Sequence, residues 1–147
     1  MVVKVSTVLE APAGRVWSVL RRIPTLVYIS RGLIGVPDAA LWPEEFREGM
    51  KLSTRLLLFH LIPTWEHRIS VVSVDEEKRE AYTNERGGVV RTWNHRIKVE
   101  PVSDDRCLYT DEVEIRAGAL TPLVWLFAQF YYRYRQMRWR GLARVLA

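Results

Sequence analysis

Residues 92–116 read TWNHRIKVEPVSDDRCLYTDEVEIR. Trp93, His95, Ile97 and Val99 alternate with Asn94, Arg96, Lys98 and Glu100. Farther on, Tyr109, Asp111, Val113 and Ile115 alternate with Thr110, Glu112, Glu114 and Arg116. A period of two with one apolar side is the pattern of a strand with one buried face. Ser103-Asp104-Asp105 between them supplies the turn of a hairpin. Pairing the strands about that turn makes facing residue numbers sum to about 207, which puts His95 near position 112 and within a residue of Asp111. A carboxylate carried to a buried face is costly unless something pairs it. A His95–Asp111 contact meets that need. It can serve as a structural hydrogen bond fixing register, as a polar anchor in a pocket, or as a general acid/base dyad.

The same alternation extends upstream. Leu52, Thr54, Leu56 and Leu58 alternate with Lys51, Ser53 and Arg55, and Trp65, His67, Ile69 and Val71 alternate with Glu66, Arg68 and Ser70. Pro63 marks a turn or bulge, residues 75–78 a charged hairpin turn, and Gly87-Gly88 another turn after a strand over 79–86. From about residue 39 to 116 the chain predicts an antiparallel meander with one solvated face. At the N-terminus, Val3, Val5, Thr7 and Leu9 form one side of a strand. Pro12 then opens a short helix carrying Val16, Trp17, Val19 and Leu20. Pro24 interrupts it before a second short helix over 25–30, and Gly32, Gly35 and Pro37 break the chain again.

Downstream, Thr121 is the expected cap and Pro122 the first residue of a final helix. Leu123, Phe127, Phe130, Tyr134, Met137 and Gly141 recur along it at spacings of three and four. At 1.5 Å per residue, roughly 24 residues make a rod of about 36 Å, long enough to cross a small sheet. Its first half is apolar nearly all round, and a sheet covers one stripe only. The rest, including Val124 and Trp125, must meet the short helices, a second subunit or a membrane surface.

The order strand, two short helices, antiparallel strands and one long C-terminal helix resembles the helix-grip superfamily. That group includes START lipid-transfer domains, the birch-pollen-allergen fold, polyketide aromatase/cyclases and coenzyme Q-binding proteins. The resemblance rests on Val5 to Trp17 (VSTVLEAPAGRVW), on Thr92 to Ile97 with its Trp-x-His element, and on Tyr109 to Ile115 with its Thr-Asp-x-Val pattern. It spans essentially the whole chain and implies one α+β domain over residues 1–147. It also implies an elongated cavity between the sheet and the long helix. The same scaffold hosts carriers, sensors and enzymes, so fold does not name the function.

Composition narrows the classes. With 147 residues, 48% of them hydrophobic and 27% charged, the chain is globular in type and short for two domains. A single cysteine, Cys107, excludes an intramolecular disulfide and reads as structural. No leader pattern is present, and the longest apolar stretch, around 120–132, falls short of a bilayer span, so a soluble cytoplasmic protein is expected. The net charge of +5 is local. Residues 120–147 hold Arg133, Arg135, Arg138, Arg140 and Arg144 with no acid, which leaves 17 bases against 17 acids elsewhere. Such a segment suits an anionic membrane surface or a solvated helix face. Because the bases sit on one helix that should be half buried, nucleic acid is not expected as a partner.

The residues expected at a ligand site are Trp65, His67, Ile69, Trp93, His95, Ile97, Asp111, Val113, Phe127 and Phe130. His60, beside Pro63, is expected to be exposed, and one of Glu85 and Arg86 to point inward. No tight ligand spacing joins His60, His67, His95 and Asp111, and no phosphate loop or nucleophile elbow is present, so neither a metal nor a cofactor is expected. The leading expectation is a carrier of a lipid-, quinone- or polyketide-like molecule, loading at a membrane through the basic helix. The alternatives are an aromatase/cyclase-like enzyme in which His95 is the acid/base and Asp111 sets its tautomer, and a dimeric interaction or regulatory protein.

Overall fold

The computed structural model describes residues 1–147. Strand β1 (Val2–Leu9) buries Val3 and Leu9 and turns Lys4 and Ser6 to water. Helix α1 (Ala13–Leu20) follows an extended Pro12 and buries Ala13, Val16, Trp17 and Leu20 on one face. Helix α2 (Ile23–Ser30) begins one residue before Pro24 rather than after it. Proline is accommodated there because first-turn N–H groups have no intrahelical acceptor. Strand β2 (Ile34–Gly35) and a 3₁₀ turn (Pro37–Leu41) lead to β3 (Lys51–Leu58), so the meander starts later than residue 39. It continues as β4 (Ile62–Asp75), β5 (Glu80–Gly87), β6 (Val90–Ser103) and β7 (Arg106–Arg116), and α3 (Thr121–Leu146) ends the chain.

All seven strands form one antiparallel sheet in the order β1-β7-β6-β5-β4-β3-β2. In the β6–β7 hairpin, His95 faces Val113 and Ile97 faces Asp111, one residue from the expected register. His95 and Asp111 therefore share a face as diagonal neighbours. The β3/β4, β4/β5, β5/β6 and β6/β7 pairs each contain a register shift. Bulges of this kind bend strands and increase twist, so the sheet curls. Helix α3 packs directly on β1 and β7, and the curled strands on the other side enclose a space beside it.

Two details of α3 differ from expectation. Thr121 is its first residue rather than its cap. The Thr121 hydroxyl accepts the Ala117 N–H at 2.8 Å and donates to the Gly118 carbonyl at 2.7 Å, which pins the preceding turn. The helix is also rotated about its axis. Its buried face is Ala128, Tyr131, Tyr132, Arg135, Gln136, Trp139 and Ala143, whereas Leu123, Phe130 and Met137 of the expected apolar stripe are exposed. Arg135 and Gln136 lie inward because partners from the sheet and from neighbouring tyrosines await them, which an apolar pattern does not register. Val124 and Trp125 are met by the domain itself: Val124 lines the interior space, and the Trp125 indole N–H donates to the Val2 carbonyl at 2.9 Å.

The packed interior falls into two clusters. One joins Leu9, Val16, Trp17, Val99, Tyr109 and Trp139; the other joins Val3, Val113, Ile115, Ala128, Tyr131 and Tyr132. Asp111 on β7 and Arg135 and Gln136 on α3 fall between them in sequence on both elements. A polar layer thus separates two apolar halves of the core.

Candidate functional site

A cavity of about 490 Å³ lies between α3, α2 and the inner faces of β3 to β6. Of its 32 lining residues 23 are hydrophobic, so a molecule inside would meet mostly hydrocarbon. Of the residues expected at a ligand site, Trp65, His67 and Ile69 from β4, Trp93, His95 and Ile97 from β6, and Phe127 from α3 line it.

Asp111, Val113 and Phe130 do not line the cavity, and this corrects the expectation for each. Asp111 and Val113 are wholly buried because β7 runs directly beneath α3, where inward side chains are consumed by packing. Phe130 points away from the sheet and is 66% exposed, a consequence of the helix rotation.

Two histidine–carboxylate pairs stand in this interior. On β6, His95 Nε2 lies 2.7 Å from Asp111 Oδ1. The carboxylate also accepts the Tyr109 hydroxyl at 3.3 Å and the Gln136 amide at 3.2 Å, and that amide donates as well to the Val5 carbonyl at 2.6 Å. Burial pushes the Asp111 pKa up, but the His95 hydrogen bond, the Arg135 charge and the Gln136 bond outweigh it, and the carboxyl sits below the usual Asp value. A carboxylate accepts only, so the shared proton resides on His95 Nε2.

The second pair was half legible. His67 Nε2 lies 2.8 Å from Glu85 Oε1, and Thr83 donates to Glu85 Oε2 at 2.6 Å. Of Glu85 and Arg86 it is therefore Glu85 that turns inward. Burial raises its pKa, while the hydrogen bonds from His67 and Thr83 and the nearness of the two histidines lower it by more, leaving Glu85 below the ordinary value.

Helix α3 supplies the rest of the wall. Tyr132 accepts the Trp93 indole N–H at 2.9 Å, Tyr131 shares a 2.9 Å hydrogen bond with Ser30, and the Tyr132 and His95 rings stand 5.0 Å apart. Burial pushes both tyrosine hydroxyls up, Tyr132 the further, so each remains a neutral phenol. Arg135 also lines the cavity and was not anticipated. The signal for it was present: Arg135 stands four residues after Tyr131 and four before Trp139, on the helix face they bury.

The cavity reaches the surface between the first turns of α3 and the β3–β4 hairpin, where exposed Leu123, Phe127 and Trp65 are lining residues. At the hairpin tip Phe59 and His60 adopt positive φ of 54° and 62°. The conformation is held by the Phe59 N–H on the Leu33 carbonyl (2.7 Å) and by the Gly32 N–H on His60 Nε2 (2.9 Å). His60 is exposed and faces no ligand site. No group of three or more His, Cys, Asp or Glu is placed to hold a metal ion, and no helix is long and apolar enough to cross a membrane.

Residues 38–145 match the family described as Domain of unknown function (DUF8410). The chain belongs to that family. Comparison with curated proteins finds no match by sequence. Solved structures resemble this DUF8410 chain along its length. Norcoclaurine synthase from Thalictrum flavum, in complex with dopamine and hydroxybenzaldehyde, superposes at a TM-score of 0.72 with 16% identity, covering 100% of this chain and 88% of that one. A START superfamily protein from Mycobacterium smegmatis gives 0.69 at 14% identity, covering 99% of each chain. An aromatase/cyclase from a Streptomyces species gives 0.68 at 14% identity, covering 98% and 93%. The chain therefore has the helix-grip α+β fold that these structures share.

Proposed function

We propose that this protein binds a hydrophobic small molecule, lipid-, quinone- or polyketide-like, in the cavity beside α3 and carries it without altering it. The observation that carries this is the cavity itself, large enough for such a ligand and walled mainly by aliphatic and aromatic side chains with a few convergent polar groups. Exchange takes place at an anionic membrane surface. Exposed Leu123, Phe127 and Trp65 line the mouth, and Phe59, Leu61 and Ile62 on the hairpin and Leu126 and Phe130 on α3 are exposed on the two elements that bound it. Behind them, Arg133, Arg140 and Arg144 are exposed along the outer helix face, a pairing of apolar tip and basic flank suited to the interface of an acidic bilayer.

Native mass spectrometry of gently purified protein, with analysis of its organic extract, tests the proposal. A stoichiometric lipid, quinone or polyketide-like adduct is expected; a clean apo mass, with no binding of added hydrophobic probes, overturns it.

The second reading is proton-transfer catalysis on the same ligand; a synthase and an aromatase/cyclase are among the structural neighbours. It is favoured by His95 lining the cavity while Asp111 behind it holds the ring in one tautomer. Turnover of the extracted molecule, abolished in a folded His95→Gln variant, would replace the carrier reading with this one.

A further inference from the structure

Arg135 lies in the interior at 5% exposure and lines the cavity, yet it forms no ion pair. The two interior carboxylates bond to histidines instead, Asp111 to His95 and Glu85 to His67. The Arg135 Nε is buried with no hydrogen-bond partner. The Tyr132 and Tyr131 rings stand 5.1 and 5.6 Å from its Cζ. Ring faces support the charge but occupy none of the five N–H donors of a guanidinium. Keeping a buried cation with free donors is costly, and leucine or methionine would fill the position on a helix without that cost. The guanidinium donors are thus free to meet a group entering the cavity.

We propose that Arg135 docks the carboxylate of an amphipathic monoanion whose apolar body runs along α3 to the mouth. This rests on the cavity being the binding site. Planar guanidinium and planar carboxylate match as a two-bond pair. Phe127 stands at the mouth eight residues before Arg135, which is about 12 Å along the helix, the span of a medium-length alkyl chain or a small polycycle.

The test is isothermal titration of dodecanoate and of dodecanol at pH 8 into the wild-type chain, Arg135→Gln and Arg135→Lys. Water solvates a carboxylate far better than a hydroxyl, so an apolar cavity without a cation ranks the alcohol first. In the wild type dodecanoate is expected to bind at least about tenfold tighter than dodecanol. Arg135→Gln reverses the order while dodecanol stays within about threefold of its wild-type affinity, and Arg135→Lys falls between. Equal affinities in the wild type, or a preference for dodecanoate that survives in Arg135→Gln, overturn the proposal and leave the cavity reading intact. If neither probe binds the wild type, the cavity reading fails and the proposal falls with it. Should Arg135→Gln not fold by circular dichroism, the wild-type ranking and the lysine variant decide the matter.

Discussion

Replacing Asp111 with Asn keeps the size of the side chain and removes its charge. In the wild type Oδ1 accepts from His95 Nε2 and Tyr109, and Oδ2 accepts from Gln136. An asparagine offers one acceptor oxygen and one donor NH₂, so a donor must face either the His95 N–H or the Gln136 amide. The Gln136 amide cannot turn over without abandoning the Val5 carbonyl. Two charge-assisted hydrogen bonds are lost at roughly 1.5–3 kcal/mol each, and partial recovery as neutral bonds leaves a net loss of about 2–4 kcal/mol. For a chain of this length that lowers Tm by on the order of 10 °C.

The pH dependence gives a second readout. The Asp111 pKa in the folded chain lies below its ordinary value, so its contribution is present above about 3.9, the unfolded value, and disappears as pH falls through the folded one. Glu85 behaves the same way. Wild-type stability should therefore drop on acidification below about pH 4, and Asp111→Asn should drop less because one of the two depressed carboxylates is gone. Guanidinium unfolding followed by tryptophan fluorescence at pH 7, repeated down to pH 3, measures both effects. A variant within about 1 kcal/mol of wild type at pH 7, or one with an unchanged acid slope, would refute the reasoning.

Further substitutions probe the mouth, the wall and a turn. Leu56 is a half-buried lining residue of β3; Leu56→Trp should occupy the cavity, reduce any co-purified adduct in the native mass spectrum at least about tenfold, and leave the circular dichroism intact. Leu126 and Phe130 are 61% and 66% exposed; the double change Leu126→Glu and Phe130→Glu should abolish co-sedimentation with phosphatidylserine vesicles while shifting stability by less than about 0.5 kcal/mol per site. Analytical ultracentrifugation of the same variant separates this from a dimer: loss of a concentration-dependent species would assign that face to a second copy. Gly88 has φ of +52°, and a Cβ there would run into the Trp65 indole; Gly88→Ala should cost about 1–3 kcal/mol and disturb the cavity rim, as unfolding and Trp65 fluorescence would register.

Much of the architecture was legible because its signals are local. Period-two alternation marked β3, β4, β6 and β7, charged or glycine turns bounded β5 between them, and Pro122 opened the long helix. The His95–Asp111 contact was legible too, since a hairpin with a short turn fixes cross-strand register to within a residue. The His67–Glu85 pair was only half visible: its members lie on β4 and β5, and the bulge between Glu85 and Gly87 in the β5–β6 ladder obscures which strand-end side chain turns inward.

Strand and helix periodicity, turn chemistry and hairpin register are properties of the chain over a few residues, so sequence alone determined the order of the main elements, the inward side of β1, β3, β4, β6 and β7 and the polar pair on β6 and β7. Whether an inward residue lines a cavity or packs against a neighbour depends on how far the sheet stands from α3, and that distance is set by strand curl accumulated over four bulged pairs. The rotation of α3 is likewise decided by long-range partners: Asp111 holds Gln136, Tyr131 and Tyr132 cover Arg135, and Trp139 packs on Tyr109. A hydropathy pattern counts Arg135 and Gln136 as solvent-facing because burying them is unfavourable in isolation. Only in the assembled fold do hydrogen bonds satisfy Gln136 and tyrosine faces support the guanidinium that stands in the cavity.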